Sequence, residues 1–232
     1  MLALDSPAPD PALHRHGFWT CPVFGQSSAH KHAHYGLDDQ IPRLTAFLDA
    51  LKIRKTYVVG NSMGGNIALW LALHHPERVL GTTVIAPATS PRLVPLSLQR
   101  LTWIAQPVSL LLTKGAMRWA HRRTVSKKDL VDAVRVEETF RTYGGRHEAV
   151  RSFMLATAAI RDPRLPRALE GIRTPVLLLW GSRDQLVPRR VIDELESALV
   201  KAESEVHVGG GHHLQEDEPE WVAGKIQAFF LG

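Results

Sequence analysis

Thr56-Tyr57-Val58-Val59-Gly60-Asn61-Ser62-Met63-Gly64-Gly65 is the stretch whose reading decides the fold. Apolar and β-favouring residues run directly into Gly-Asn-Ser-Met-Gly, and a nearly unbroken apolar run, Ile67 to Leu73, follows. The pattern reads as a buried strand, a sharp turn and a buried helix. A residue at the apex of so tight a turn takes a strained backbone conformation, and its neighbours must be small. Gly60 and Gly64 stand two residues before and after Ser62, where side chains are expected to clash. The turn lifts the Ser62 hydroxyl above the sheet and points the positive end of the helix at it. With the Met63 N–H, that helix end is suited to hold a developing oxyanion. A glycine-rich strand-to-helix turn without chemistry is the blander reading; the strand before and the helix after weigh against it.

A serine hydroxyl is a weak nucleophile until a base takes its proton and an acid orients that base. Both are present further along the chain. Thr174-Pro175-Val176-Leu177-Leu178-Leu179-Trp180 reads as a buried strand that ends in Gly181-Ser182-Arg183-Asp184. Ser204-Glu205-Val206-His207-Val208 reads as a short strand, followed by Gly209-Gly210-Gly211-His212-His213. The order Ser, Asp, His, each just past a strand, is that of the α/β-hydrolase fold. The chain resembles the lid-bearing esterases and C–C hydrolases of that family. The likeness rests on Tyr35-Gly36-Leu37-Asp38-Asp39, Gly60 to Gly65, Trp180 to Asp184 and Gly211-His212-His213-Leu214-Gln215-Glu216-Asp217-Glu218-Pro219-Glu220. It covers the chain from about residue 17 onward, most weakly in the middle.

The resemblance implies a mostly parallel α/β sheet with flanking helices and a helical lid, without the family's N-terminal strands. The expected organisation is a disordered tail over 1–16, a hydrolase core over 17–88 and 165–232, and a helical lid insertion over 89–164. It also implies roles: Ser62 as nucleophile, His212 as base, Asp184 as acid, Met63 N–H as oxyanion donor, and Asn61 and His213 at the substrate. His212 is preferred to His213 because it directly follows the three glycines. The activity implied is hydrolysis of a small carboxylic ester or related acyl substrate, with no cofactor. C–C cleavage of aromatic ring-fission products is the alternative, and a hydrolase-like protein without turnover is another. A C–C hydrolase calls for a lid cation to meet its substrate's carboxylate; Arg135 and Arg141 are candidates, with surface charge the plainer reading of each.

Composition sets the outer bounds. The 232 residues suffice for one domain with a full core, and 44% hydrophobic content is ordinary for a globular chain. The lone Cys21 excludes an intramolecular disulfide and suits a reducing compartment, so a cytoplasmic location is expected. Leu101 to Leu112 is the most apolar non-strand stretch, but Gln106 and Pro107 interrupt it and it is too short to span a bilayer. Much of the formal +5 charge sits in Arg118, His121, Arg122, Arg123, Lys127 and Lys128, best read as a solvated helix face. No nucleic-acid motif accompanies it, and neither a nucleic acid nor a membrane surface is the expected partner. His30, His32 and His34 alternate near His14 and His16, yet no carboxylate or cysteine completes a metal site, and none is expected.

Helical spacing is seen over Leu37–Leu51, Asn66–His74, Leu93–Leu112, Gly115–Arg123, Lys128–Tyr143, His147–Ile160, Val191–Leu199 and Pro219–Phe230. Val79–Ala86 reads as a strand. Trp103, Trp119, Phe140, Tyr143, Phe153 and Met154 are expected to include the underside of the lid. The family's first three strands, and the His-Gly pair that supplies its second oxyanion donor, have no counterpart: His16-Gly17 stands too close to the Phe24-Gly25-Gln26-Ser27 turn. The Thr56–Val59 edge is therefore expected to need a partner, either Phe18–Cys21 or a second chain in a homodimer. A start placed downstream of the natural one, a repaired architecture and a decaying copy would each produce this pattern.

Overall fold

A computed structural model describes residues 2–5, 16–18, 35–98 and 100–231. Six strands form one sheet: β1 (Leu2–Asp5), β2 (His16–Phe18), β3 (Thr56–Asn61), β4 (Val79–Ile85), β5 (Val176–Gly181) and β6 (Ala202–His207). Their spatial order is β2-β1-β3-β4-β5-β6. The four strands β3 to β6 are parallel. β5 is buried at every position, which is why its sequence is a continuous apolar run rather than an alternating one.

Alternation does decide which layer each strand residue joins. Val58, Val84 and Leu178 pack with α1 (Leu37–Ala50) and α2 (Met63–His74) in the largest core cluster, through Leu44, Leu48, Ile67, Leu69 and Leu71. Val59, Ile85, Leu177 and Leu179 face the other way, towards Trp221, Val222, Ile226 and Phe229 of the C-terminal helix over Pro219–Leu231. The sheet thus lies between two helical layers. α2 is buried almost all round, which is why its sequence shows no polar stripe.

The N-terminal expectation needs correction. Leu2–Asp5, assigned to a disordered tail, is a strand, and it takes the place beside β3 that had been expected for Phe18–Cys21. It pairs antiparallel, Leu2 with Val59 and Asp5 with Thr56, and His16–Phe18 pairs on its outer side. Backbone N–H and C=O groups along β3 are thereby paired on both sides, and the side-chain pattern of Leu2–Asp5 gave no signal of this. With β1 in place the β3 edge is not bare, and the case for a homodimer through that edge falls away. Cys21, Ser27 and the histidines at 14, 30, 32 and 34 lie outside the described residues.

From Thr89 to Asp162 the described residues form helices and turns and contribute no strand. The α-helices are α3 (Ala105–Leu111), α4 (Lys114–Thr124), α5 (Ala133–Tyr143) and α6 (His147–Ala158). The single helix read over Leu93–Leu112 is instead broken; Pro107 falls in the first turn of α3, where its missing N–H costs nothing. Two clusters give this insertion its own packing: Met117, Val125, Val131 and Val136, and Ala105, Val150 and Met154. Phe140 and Tyr143 join them, whereas Trp103 and Trp119 are exposed and belong to no underside. A short helix, α7 (Arg164–Ala168), returns the chain to the core. Its Arg164 bridges Asp38 of α1 at 2.8 Å and stacks over Trp70 of α2. No helix among the described residues is long and apolar enough to cross a membrane.

The turn after β3 is as tight as its sequence requires, but its glycines are not equivalent. A Cβ on Gly60 would stand 2.3 Å from the Gly64 carbonyl oxygen, and one on Gly65 would stand 2.8 Å from Pro87 Cβ. Gly64 has open space instead, so the expected clash there is not found. Gly60→Ala is predicted to destabilise the fold by about 3 kcal/mol or more, as overpacking against backbone does. Gly64→Ala should be neutral or stabilise by roughly 0.5 kcal/mol, since it removes a flexible residue from a helix. Urea unfolding midpoints of the two variants check the contrast; equal losses would refute it.

Candidate active site

Ser62 is the residue between β3 and α2. Its φ of 53° and ψ of −118° lie outside the regions that side-chain-bearing residues favour. Three backbone bonds hold it there: Ser62 N–H to Ile85 O at 2.9 Å, Ala88 N–H to Ser62 O at 3.0 Å and Asn66 N–H to Ser62 O at 3.1 Å. A serine preceding a helix ordinarily caps it with its hydroxyl. Here the hydroxyl makes no cap bond, and Oγ is left for other work. Met63 is the first helical residue, so its N–H is one of the donors that a helix start leaves without an internal acceptor.

Asp184 sits in the loop after β5 with its side chain fully buried. Oδ1 accepts N–H bonds from Leu186 at 2.7 Å and Val187 at 2.9 Å. Oδ2 is 2.9 Å from Nδ1 of His212. Because an ionised carboxylate can only accept, His212 Nδ1 carries the proton and Nε2 keeps its lone pair. Trp180 Nε1–H braces this loop through Val187 O at 3.0 Å.

His212 is 2% exposed. Asn61 connects it to the serine turn: the side-chain amide donates to His212 O and to Ile85 O, each at 3.0 Å. Both amide hydrogens are thereby used on backbone, which makes Asn61 a brace between the serine and histidine loops. No hydrogen bond joins Ser62 Oγ to His212 in this structure; Asn61 ties the residue before Ser62 to the His212 backbone.

His213 faces the insertion. Its Nδ1 lies 3.3 Å from Arg135 Nη2 and 3.1 Å from Glu216 Oε1. Arg135, on α5, also pairs with Glu216 Oε2 and donates Nε–H to His121 Nδ1 at 3.3 Å. Thr139 donates its hydroxyl hydrogen to Arg135 O, so its oxygen accepts from His121 Nε2 at 2.7 Å. His121 is thus neutral, in the Nε2–H form; burial, then the nearby Arg135, hold its pKa below the usual histidine value. For Glu216, burial pushes upward but is outweighed by His213 and Arg135, leaving the carboxyl at about 2.

Asp217, 1% exposed, was quoted in the sequence only as part of a string. Its carboxylate accepts N–H bonds from Gly211 at 2.7 Å, Ser126 at 2.9 Å and Lys127 at 3.0 Å. Burial raises its pKa, and those backbone donors lower it further than burial raises it. Neither Glu216 nor Asp217 was assigned a role from sequence; an acidic pair four and five residues past a candidate catalytic histidine was the available signal. No cluster of three metal-ligating side chains occurs among the described residues.

A strand, a strained serine turn, a helix start and a buried Asp–His pair at the ends of neighbouring parallel strands define the α/β-hydrolase class. The family model for the alpha/beta hydrolase fold matches residues 22–219, and the chain belongs to that family. It is 28% identical over 219 residues to the uncharacterized hydrolase YugF of Bacillus subtilis, covering 90% of this chain and 77% of that protein. It is also 28% identical over 195 residues to 2-hydroxymuconate semialdehyde hydrolase of Pseudomonas sp. (strain CF600), covering 83% and 68%. Among solved structures, MGS-M2, an alpha/beta hydrolase enzyme from a Medee basin deep-sea metagenome library, superposes with a TM-score of 0.76 at 21% identity, over 94% of this chain and 79% of that one.

The depressed pKa of Glu216 carries a pH consequence. Its folded value of about 2 lies below the ordinary 4.5, so the stability it contributes is complete above about 4.5 and lost as pH falls towards about 2. Glu216→Gln should therefore lower the urea midpoint at pH 7, with the gap to wild type closing between about pH 4.5 and 2. A gap that stays constant over that range would contradict the assignment.

Proposed function

We propose that the protein is a serine hydrolase that cleaves a small carboxylic ester through an acyl-enzyme. The observation that carries this reading is the buried 2.9 Å His212–Asp184 pair, braced by Asn61 to the turn that strains Ser62. Ser62 Oγ attacks the acyl carbonyl while His212 Nε2 takes its proton. The imidazolium so formed is stabilised by Asp184, whose other oxygen is fixed by two backbone N–H groups. His212 returns the proton to the departing alkoxide. Water then attacks the acyl-enzyme, again with His212 as base, and regenerates Ser62. Met63 N–H and the α2 dipole stabilise the tetrahedral oxyanion. The insertion serves as a lid, and its α4–α5 side rests on the histidine loop.

Arg135 favours an uncharged acyl substrate. A dienoate product of aromatic ring fission brings a carboxylate that needs a cation, but Arg135 is already neutralised by Glu216 and Arg141 pairs with Glu137 on the exposed side of α5. The likeness to 2-hydroxymuconate semialdehyde hydrolase supports C–C hydrolysis as the second reading.

p-Nitrophenyl acetate and a ring-fission dienoate assayed side by side separate the two. Ester turnover is expected to dominate. Ser62→Ala should reduce kcat by on the order of 10⁴-fold or more and abolish fluorophosphonate labelling, as loss of the nucleophile does in such triads. Preferred turnover of the dienoate would favour the second reading. Absence of both turnover and labelling in the wild type would defeat the hydrolase reading.

A further inference from the structure

His212 is gripped from three directions. The N–H of the preceding residue, Gly211, donates to Asp217 Oδ2 at 2.7 Å. The N–H of the following residue, His213, donates to Thr124 O at 2.8 Å. Its own carbonyl receives the Asn61 amide at 3.0 Å. The last of these belongs to the serine turn. The first two lead into the insertion, because Asp217 also takes the N–H groups of Ser126 and Lys127 and Thr124 is the last residue of α4. Between them Val125, 2% exposed, packs with Met117, Val131 and Val136, so the turn belongs mechanically to the insertion.

We infer that the Thr124–Lys127 turn is a positioning element for His212, with Asp217 as the joint through which it acts. Asp217 does not reach the reacting atoms in this scheme; it sets where the imidazole is carried. A carboxylate suits the task for a plain reason. Three N–H groups converge on it from two separate segments, and only an acceptor with several lone pairs and no hydrogen can satisfy all three. An amide in its place must turn an N–H₂ towards at least one N–H. The insertion and the general base are therefore seated together.

The inference rests on the proposed role of His212, and its test keeps the two separable. Lys127 has a φ of −81°, close to the value a proline ring imposes, so Lys127→Pro keeps the backbone φ while it deletes one N–H donor to Asp217 and sets the ring Cδ against that carboxylate. The Lys127 amine also pairs with Glu218 at 3.0 Å, and Lys127→Ala is the control that loses this pair but keeps the N–H. Relative to Lys127→Ala, Lys127→Pro is expected to lower kcat for p-nitrophenyl acetate roughly 10-fold or more, as displacement of a catalytic group does. KM should stay within about twofold. The apparent pKa on the acid limb of kcat/KM, and the low-field proton resonance of His212 Nδ1–H, should both move. Asp217→Asn is expected to act in the same direction and further; should it fail to fold, the Lys127 pair carries the comparison. Lys127→Pro with the kcat, pH profile and proton resonance of Lys127→Ala would overturn the inference, whatever its melting temperature. If the wild type shows no hydrolysis and no Ser62 labelling, the hydrolase reading fails, and the resonance alone decides: moved in Lys127→Pro it supports the positioning role, unmoved it refutes it.

Discussion

The backbone of Ser62 is the constraint around which the structure is arranged. A left-handed φ on a serine costs about 1–3 kcal/mol and persists only where the surroundings enforce it. Enforcement comes from both sides of the turn. β4 supplies the Ile85 carbonyl, the segment after it supplies Ala88 N–H, and α2 supplies Asn66 N–H. Gly60 must then pass within backbone contact of Gly64 and Gly65, which leaves no room for a Cβ. Ala86, at the end of β4, also has a positive φ, of 44°, and is completely buried. Two neighbouring parallel strands thus end in paired strained turns, and the hydroxyl between them is kept from its usual capping role.

Electrostatically the site divides into two layers. Asp184 and His212 form an inner pair whose surplus acceptor capacity is filled by backbone N–H groups. Around it, Glu216, Arg135, His213, His121 and Thr139 form an outer network that joins the insertion to the histidine loop. The outer network engages Arg135 of α5 through Glu216. Within it, against the effect of burial, His213 and Arg135 hold the Glu216 carboxyl below its usual range, and His121 gives its ring hydrogen to Thr139.

Much of this was legible in the sequence, and the parts that were not have identifiable causes. The apolar runs at Val58–Val59 and Val176–Leu179 are unambiguous because a doubly covered parallel strand has no polar face. Ser62 and Asp184 stand just past such runs, whereas His212 follows a polar, largely exposed strand and was singled out by the three glycines before it. Leu2-Ala3-Leu4-Asp5 gives no such signal, because it contains no β-branched or aromatic residue and acquires its strand character from β3. The bracing by Asn61 was not legible because its partners are carbonyls of residues distant in sequence. Asp217 was missed for the same reason: its ligands are main-chain N–H groups, which every residue but proline carries and no motif records. In the insertion, helical spacing located the helices, but it did not separate inward aromatics from Trp103 and Trp119, since their packing surface is made by other helices.

The helical insertion has a consequence for how the chain reaches its native state. β4 and β5 are neighbours, with Ile85 beside Leu179, although about 90 residues separate them along the chain. Closing a loop costs free energy that grows only with the logarithm of its length, about 0.6 kcal/mol per doubling, so the detour is thermodynamically mild. Its effect on rate is greater, because pairings between distant segments form late and slowly. Asp184 stands at the far end of that pairing, and His212 beyond it. The strained serine turn, built from contiguous residues and the adjoining strand, can form early, whereas the buried Asp184–His212 pair assembles only when the longest connection in the sheet has closed.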